Sequence, residues 1–352
     1  MAQYSFLGRS ILNSFCLFFI IFGVTACREI APGHVLPTIK IGLAAPFEGL
    51  HRPLGYEALF GVKLALQERN LAQGMLGYRV ELVALNDFDD PAEAQAQARA
   101  LAADPDVLGV VGHLSSDTTL AALPIYQEAQ LAMSIPWSIA GQVDTGSDGV
   151  VMIAASRSET STYLETRGRE MGFNNTLALF EVDDLEAISE QTQALYLAGD
   201  GVTAGEIVLT LHEANVLLPV FGQVDVGSPQ LLQVARAAAN DLIFVSPGPD
   251  PQDVPGGGAF IEAYQALAGF LPGPRAVLAY DAAHVLLDAI EQAILENQGR
   301  PTRAEVRAAL PDIQRRGMSG DIAFDPQGER IDAPLWVYQI SEEKYPGVLM
   351  AP

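Results

Sequence analysis

The stretch best suited to chemistry is Gly112-His113-Leu114-Ser115-Ser116-Asp117-Thr118-Thr119. An apolar, strand-like run at 107–111 precedes it, and a helix is predicted from about Asp117. Hydroxyl side chains therefore stand where a helix opens. The first N–H groups of a helix lack intrahelical partners and carry about half a positive charge. A ligand carboxylate can be held there, with Ser115, Ser116 and Thr118 as donors and no basic side chain needed. The same residues also fit a plain helix cap, and both readings stand at this level. A second segment, Pro136-Trp137-Ser138-Ile139, follows the next apolar run at 132–135. It lies at the same carboxyl edge of a predicted sheet, where open α/β sheets bind ligands. Trp137 suits a pocket wall or a core position equally.

Catalytic and metal-binding patterns are missing from the sequence. There is no P-loop, GxGxxG, GxSxG or HExxH signature. The five histidines, at 34, 51, 113, 212 and 284, are scattered singly. His212-Glu213 lacks a second histidine at ligand spacing, so no metal site and no cofactor are expected. His284 sits among apolar neighbours and reads as packed or capping. Asp281, in Tyr280-Asp281-Ala282, reads as structural. The chain is expected not to be an enzyme.

These segments must be positioned by alternating strands and helices. Apolar runs at 39–44, 80–85, 107–111 and 132–135 read as strands. Helical spacing fills 55–69, and Asp90-Pro91 gives an N-cap and a first-turn proline for a helix to 102. Further on, strands are predicted at 177–180, 217–221, 242–245, 321–324 and 335–340. Helices are predicted at 185–197, 228–239, 260–268, 277–295 and 303–310. Such alternation predicts parallel sheets with helices on both faces. One place breaks the pattern. Strand-like runs at 206–209 and 217–221 are separated by only 210–216, and a parallel crossover needs about a dozen residues. The two are an antiparallel pair, or one is not a strand.

Composition narrows the partners. Hydrophobic residues make up 49% and charged residues 18% of the 352, enough for two domains with cores. The net charge of −23 repels nucleic acid and anionic headgroups, so neither is an expected partner. Both cysteines lie within the first 27 residues, so the remainder holds together without disulfides. The apolar run 11–26 would rise about 24 Å as a helix, short of the roughly 30 Å hydrocarbon core. It reads as a signal peptide over 1–26, with a tether at 27–37. Val24-Thr25-Ala26-Cys27 resembles the lipobox of bacterial lipoproteins, which implies cleavage before Cys27 and acylation of its thiol. An ordinary signal peptide with a chance cysteine is the plainer alternative.

Eight segments, in order, are similar to the leucine/isoleucine/valine-binding protein family, the type I substrate-binding proteins of amino-acid ABC transporters. They are IKIGLAAPFEG at 39–49, GMLGYRVELVALNDFDDPAEA at 74–94, VLGVVGHLSSDTT at 107–119 and SIPWS at 134–138. PVFG at 219–222, FVSPGPDP at 244–251, AVLAYDAAHVLLDAI at 276–290 and SGDIAFDPQGER at 319–330 complete the set. The resemblance implies an α/β chain of two doubly wound, parallel-sheet lobes joined by three crossovers, near 150–155, 246–251 and 331–334. Lobe 1 would hold 38–153 and 248–331, and lobe 2 would hold 154–247 and 332–352. Relatives have a helix, a strand and a second helix around 207–217, so lobe 2 is expected to be reduced, missing a mid-sheet strand.

The resemblance also assigns roles. Ser116 matches the family's carboxylate-binding serine. Trp137 stands at a small-residue position and Ile139 at that of a threonine, leaving Ser138 as the replacement hydroxyl. The ligand's ammonium would meet a carboxylate after the 219–222 strand, where Asp225 is one residue out of register. Glu181, Asp183 and Asp184 are either an alternative to Asp225 or an acidic rim. The implied function is an extracytoplasmic, lipid-anchored protein that captures an amino acid or similar small polar molecule for a membrane permease. The competing reading is a sensor or scaffold lipoprotein on the same fold with degenerate binding.

Overall fold

A computed structural model describes residues 36–71, 74–137 and 149–350. Cys27 and Ser138, with its neighbour Ile139, lie outside the described residues.

The first sheet is built as the hydrophobic pattern predicts. Strand β1 (Thr38–Ala45) is apolar on both faces and almost wholly buried. Parallel neighbours β2 (Arg79–Asn86) and β3 (Val107–Gly112) flank it, and β4 (Ala132–Ile135) and β5 (Val150–Met152) continue the sheet in the order β2-β1-β3-β4-β5. Helices α1 (Arg52–Leu71), α2 (Pro91–Ala103) and α3 (Ser116–Glu128) connect the first four strands. Asp90 caps α2 as its sequence predicts, its carboxylate accepting from Ala92 N at 2.8 Å and Glu93 N at 2.9 Å.

The second sheet has six strands. β6 (Thr176–Leu179), β7 (Ala194–Leu197), β8 (Val220–Gly222) and β9 (Ile243–Ser246) run parallel, and β12 (Trp336–Ser341) and β13 (Lys344–Leu349) close the far edge antiparallel. Helix α4 (Arg157–Glu170) leads into it, opened by a capping box between Ser156 and Glu159. Helices α5 (Gly201–Glu213) and α6 (Pro229–Ala235) link its later strands.

Between β9 and β12 the chain returns to the first lobe. There it forms α7 (Gly257–Ala268), α8 (Pro274–Asn297), α9 (Arg303–Ala309) and the hairpin β10–β11 (Arg315–Gly317, Gly320–Ile322). The chain passes between the two sheets three times: after β5, after β9 and before β12. Helix α8 packs against α1 and the first sheet, burying Leu278, Leu286, Leu287 and Ile290 among Ile39, Ile41 and Val62. Each such side chain contributes about 1.5–3 kcal/mol of transfer free energy. The two helices approach so closely that a Cβ on Gly61 would lie 2.5 Å from the Ala276 carbonyl oxygen, so only glycine fits there.

Two predicted elements are corrected. The helix expected at 185–197 is instead a 3₁₀ turn, Val182–Ala187, followed by strand β7. The strand-like run at 206–209 lies inside α5, where Ile207 and Val208 are core residues. The conflict at 210–216 disappears, because one of the two runs is helical. The expected loss of a mid-sheet strand is therefore corrected. The β6–β7 crossover carries a single 3₁₀ turn, while β6 to β9 pair without a gap.

Candidate functional site

The carboxyl ends of strands from both sheets converge on a cleft of about 300 Å³. Lobe 1 contributes His51, Leu54, Asp89, Leu114, Ser115, Ser116, Trp137 and Arg275; lobe 2 contributes Asp200, Gly201, Asp225, Ser228 and Gln230, among others. Apart from Arg275, these side chains stand in connections that follow strands or in the first turns of the ensuing helices. That is where a parallel sheet leaves room for a ligand.

The turn into α3 faces this cleft. Ser115 is its N-cap: its hydroxyl accepts from Thr118 N at 3.4 Å and lies 2.8 Å from the Thr118 hydroxyl. The capping reading thus holds for Ser115, while Ser116 lines the cleft beside it. Thr118 is corrected as a donor to ligand. It is fully buried, and its hydroxyl donates to the Ser115 carbonyl at 3.2 Å. Below the turn, His113 is buried with its Nδ1 2.7 Å from Asp87 and its Nε2 3.0 Å from the Tyr126 hydroxyl.

Trp137 stands both in the core and along the cleft, and it is 3% exposed. Its indole N–H donates to the Leu114 carbonyl at 2.7 Å, fixing the ring against the α3 turn. On the other side of the cleft, Asp225 is ion-paired with Arg157. Its charge is already shared within lobe 2, so a ligand ammonium would compete with that guanidinium. Glu181, Asp183 and Asp184 are absent from the cleft lining; Glu181 precedes the 3₁₀ turn and the two aspartates lie in it, Asp184 accepting from Phe180 N and Glu181 N.

Two further acids enter the cleft. Burial raises the Asp89 carboxyl above its ordinary range, while the Ser115 hydroxyl and His51, 3.4 Å away, act in the opposite direction. Asp200 caps α5. Burial opposes its ionisation, but bonds from Thr203 and Val202 outweigh that and hold its carboxyl below the usual range.

Arg275, Ser228 and Gln230 were not singled out by sequence reasoning. Arg275 opens α8 and is 3% exposed, with its guanidinium carbon 5.7 Å from the centre of the Trp137 ring. Its Nη1 donates to the Gly227 carbonyl at 3.1 Å. Gly273, the N-cap of α8, has no side-chain oxygen, and Glu57 from α1 supplies one to Arg275 N at 2.9 Å and Ala276 N at 3.0 Å. A usable signal existed. An arginine on the first turn of a helix sits at the positive end of the helix dipole, where an anion is wanted.

A family model described as periplasmic binding protein matches residues 38–184 and 185–345. The Leu/Ile/Val-binding protein homolog 2 of Brucella abortus (strain 2308) is 25% identical over 358 residues, covering 90% of this chain and 94% of that protein. A leucine-, isoleucine-, valine-, threonine- and alanine-binding protein of Pseudomonas aeruginosa is 24% identical, covering 86% of this chain and 90% of its own. Among solved structures, the branched-chain amino acid transporter substrate binding protein LivJ of Streptococcus pneumoniae, in complex with isoleucine, superposes with a TM-score of 0.75. It is 20% identical, with 90% of this chain and 100% of that chain covered.

Proposed function

Because the chain belongs to the periplasmic binding protein family, we propose that it is an extracytoplasmic substrate-binding protein that captures an amino acid or similar small polar molecule for an ABC transporter. The observation that carries this reading is the cleft itself. Strand ends from two separate sheets face it, and the amino end of α3 opens into it at Ser115 and Ser116. A ligand there touches both lobes, so its binding energy favours their closed arrangement. The names of the relatives supply the amino-acid class, and the permease partner follows from the transporter role. Cys27 is proposed as the acylated anchor at the cell membrane.

The test is thermal melting of the purified protein against the twenty amino acids, amides and short peptides. A ligand at 100 times its Kd adds about 2.7 kcal/mol of stability, a rise of several degrees for a protein of this size. No shift with any of them would sink the capture role and leave the sensor or scaffold reading. The anchor is tested separately by mass spectrometry of the mature protein. A diacylglyceryl mass on Cys27, lost in Cys27→Ser, is expected, and an unmodified thiol refutes it.

A further inference from the structure

Ten buried side-chain polar atoms find no hydrogen-bond partner among the described residues, and four of them belong to residues lining the cleft. They are Ser228 Oγ, Gln230 Nε2 and Oε1, and Arg275 Nε. Ser228, Gln230 and Arg275 are 4%, 6% and 3% exposed. Leaving such groups unpaired is unfavourable, and more so for charged ones. A ligand that meets all four recovers that cost.

Arg275 decides the sign of the charge that is wanted. It forms no ion pair among the described residues. The nearby Glu57 carboxylate accepts from the backbone N–H groups of Arg275 and Ala276. Among the described residues the guanidinium hydrogen-bonds the Gly227 carbonyl and the Tyr345 hydroxyl at 3.5 Å and lies over the face of Trp137, and the Glu57 carboxylate acts on its charge without a direct side-chain bond. A cation so buried is stabilised most by a carboxylate, through short charge-assisted bonds. Gln230 adds a second constraint. Its amide offers a donor and an acceptor, so the ligand must present an acceptor and a donor close together. Trp137 bridges this end of the cleft to the other, since its indole N–H holds Leu114, beside the Ser115–Ser116 turn.

Resting on the reading that the cleft binds a small polar molecule, we propose that its ligand is a small dicarboxylate carrying a hydrogen-bond donor between its acid groups. The acidic α-amino acids are the simplest case. One carboxylate lies on the Ser115–Ser116 turn, and the second meets Arg275, Ser228 and the Gln230 amide N–H. The ligand's ammonium or hydroxyl donates to Gln230 Oε1. An aliphatic side chain in the same place leaves all four atoms unpaired, and a site built to hydrogen-bond a group rejects analogues lacking it by orders of magnitude.

Isothermal titration of the purified protein with L-glutamate, L-aspartate and L-malate, against L-leucine, L-isoleucine and L-valine, tests this. At least one dicarboxylate is expected to bind ~100-fold more tightly than any aliphatic amino acid. Arg275→Met should lower that affinity on the order of 100-fold, the scale for truncating one partner of a buried charge pair. Gln230→Leu breaks no side-chain hydrogen bond among the described residues. It should lower dicarboxylate affinity about tenfold while leaving the melting midpoint of the ligand-free protein unchanged or higher. If Arg275→Met does not fold, Gln230→Leu decides, and an unchanged dicarboxylate affinity overturns the assignment. Aliphatic amino acids binding as tightly as the dicarboxylates overturn it while leaving the capture role standing. No binding by any of these compounds or by the melting panel overturns both.

Discussion

Replacing His113 by leucine is expected to remove about 3–5 kcal/mol of stability, the cost of removing one partner of a fully buried carboxylate–imidazole pair. Asp87 and His113 have fully buried side chains, and Asp87 Oδ2 lies 2.7 Å from His113 Nδ1. Without the imidazole, that carboxylate oxygen loses its partner at 2.7 Å, and the Tyr126 hydroxyl loses its contact at 3.0 Å. The other carboxylate oxygen still accepts from Asp89 N at 3.1 Å, which keeps Asp87 in place. The effect should be read by urea unfolding, as a lower midpoint at unchanged slope. Adding Asp87→Asn to His113→Leu should recover part of the loss, because a neutral amide is easier to bury than an unpaired charge. A loss under about 1 kcal/mol in the single variant would mean that the pair behaves as an exposed one. The network also stands directly under the α3 turn, so the variant should bind ligand less tightly than its stability alone accounts for.

A loss of similar size is expected for Asp281→Ala. The Asp281 carboxylate is fully buried in α8 and accepts from Met318 N at 2.9 Å, Ser319 N at 2.8 Å and the Ser319 hydroxyl at 2.6 Å. Ser319 passes the interaction on to Arg330, whose Nη1 donates to its hydroxyl at 2.9 Å and to the Ile153 carbonyl at 3.0 Å. Arg330 is itself 4% exposed, and burial lowers its pKa while Asp281 and Asp321 oppose that. Removing Asp281 therefore strands three donors and weakens the balance of a buried cation, costing about 3–5 kcal/mol. Asp281→Asn keeps the shape and one acceptor and should cost less. A double-mutant cycle with Arg330→Met gives the coupling between the two. Additive losses would show that Arg330 does not depend on Asp281.

The sequence exposed most clearly what is decided locally. β1 is a run of buried apolar residues, Asp90-Pro91 starts a helix by its own chemistry, and the hydroxyls from Ser115 onward mark another start. Each needs only its neighbours to be understood. The misread segments of lobe 2 were decided by burial on both faces. Ala194–Leu197 contains good helix formers and no alternation, yet it is a central strand. Glu206–Leu209 is rich in strand formers but sits in α5, whose apolar face packs on that same sheet. The site divided in the same way. Ser116 and Trp137 follow strands of lobe 1 and were visible as a motif. Ser228, Gln230 and Arg275 are far apart in sequence and gain meaning only when two lobes and the start of α8 meet around one space.

The placement of Trp137 has an optical consequence. The chain has two tryptophans, and the other, Trp336, lies in β12, outside the cleft lining. The Trp137 indole is held by the Leu114 carbonyl and faces the charge of Arg275. An anion that neutralises that guanidinium changes the electric field across the ring. Occupancy should therefore be legible in the intrinsic emission spectrum without any label, and Trp137→Phe should silence the signal while Trp336 continues to emit.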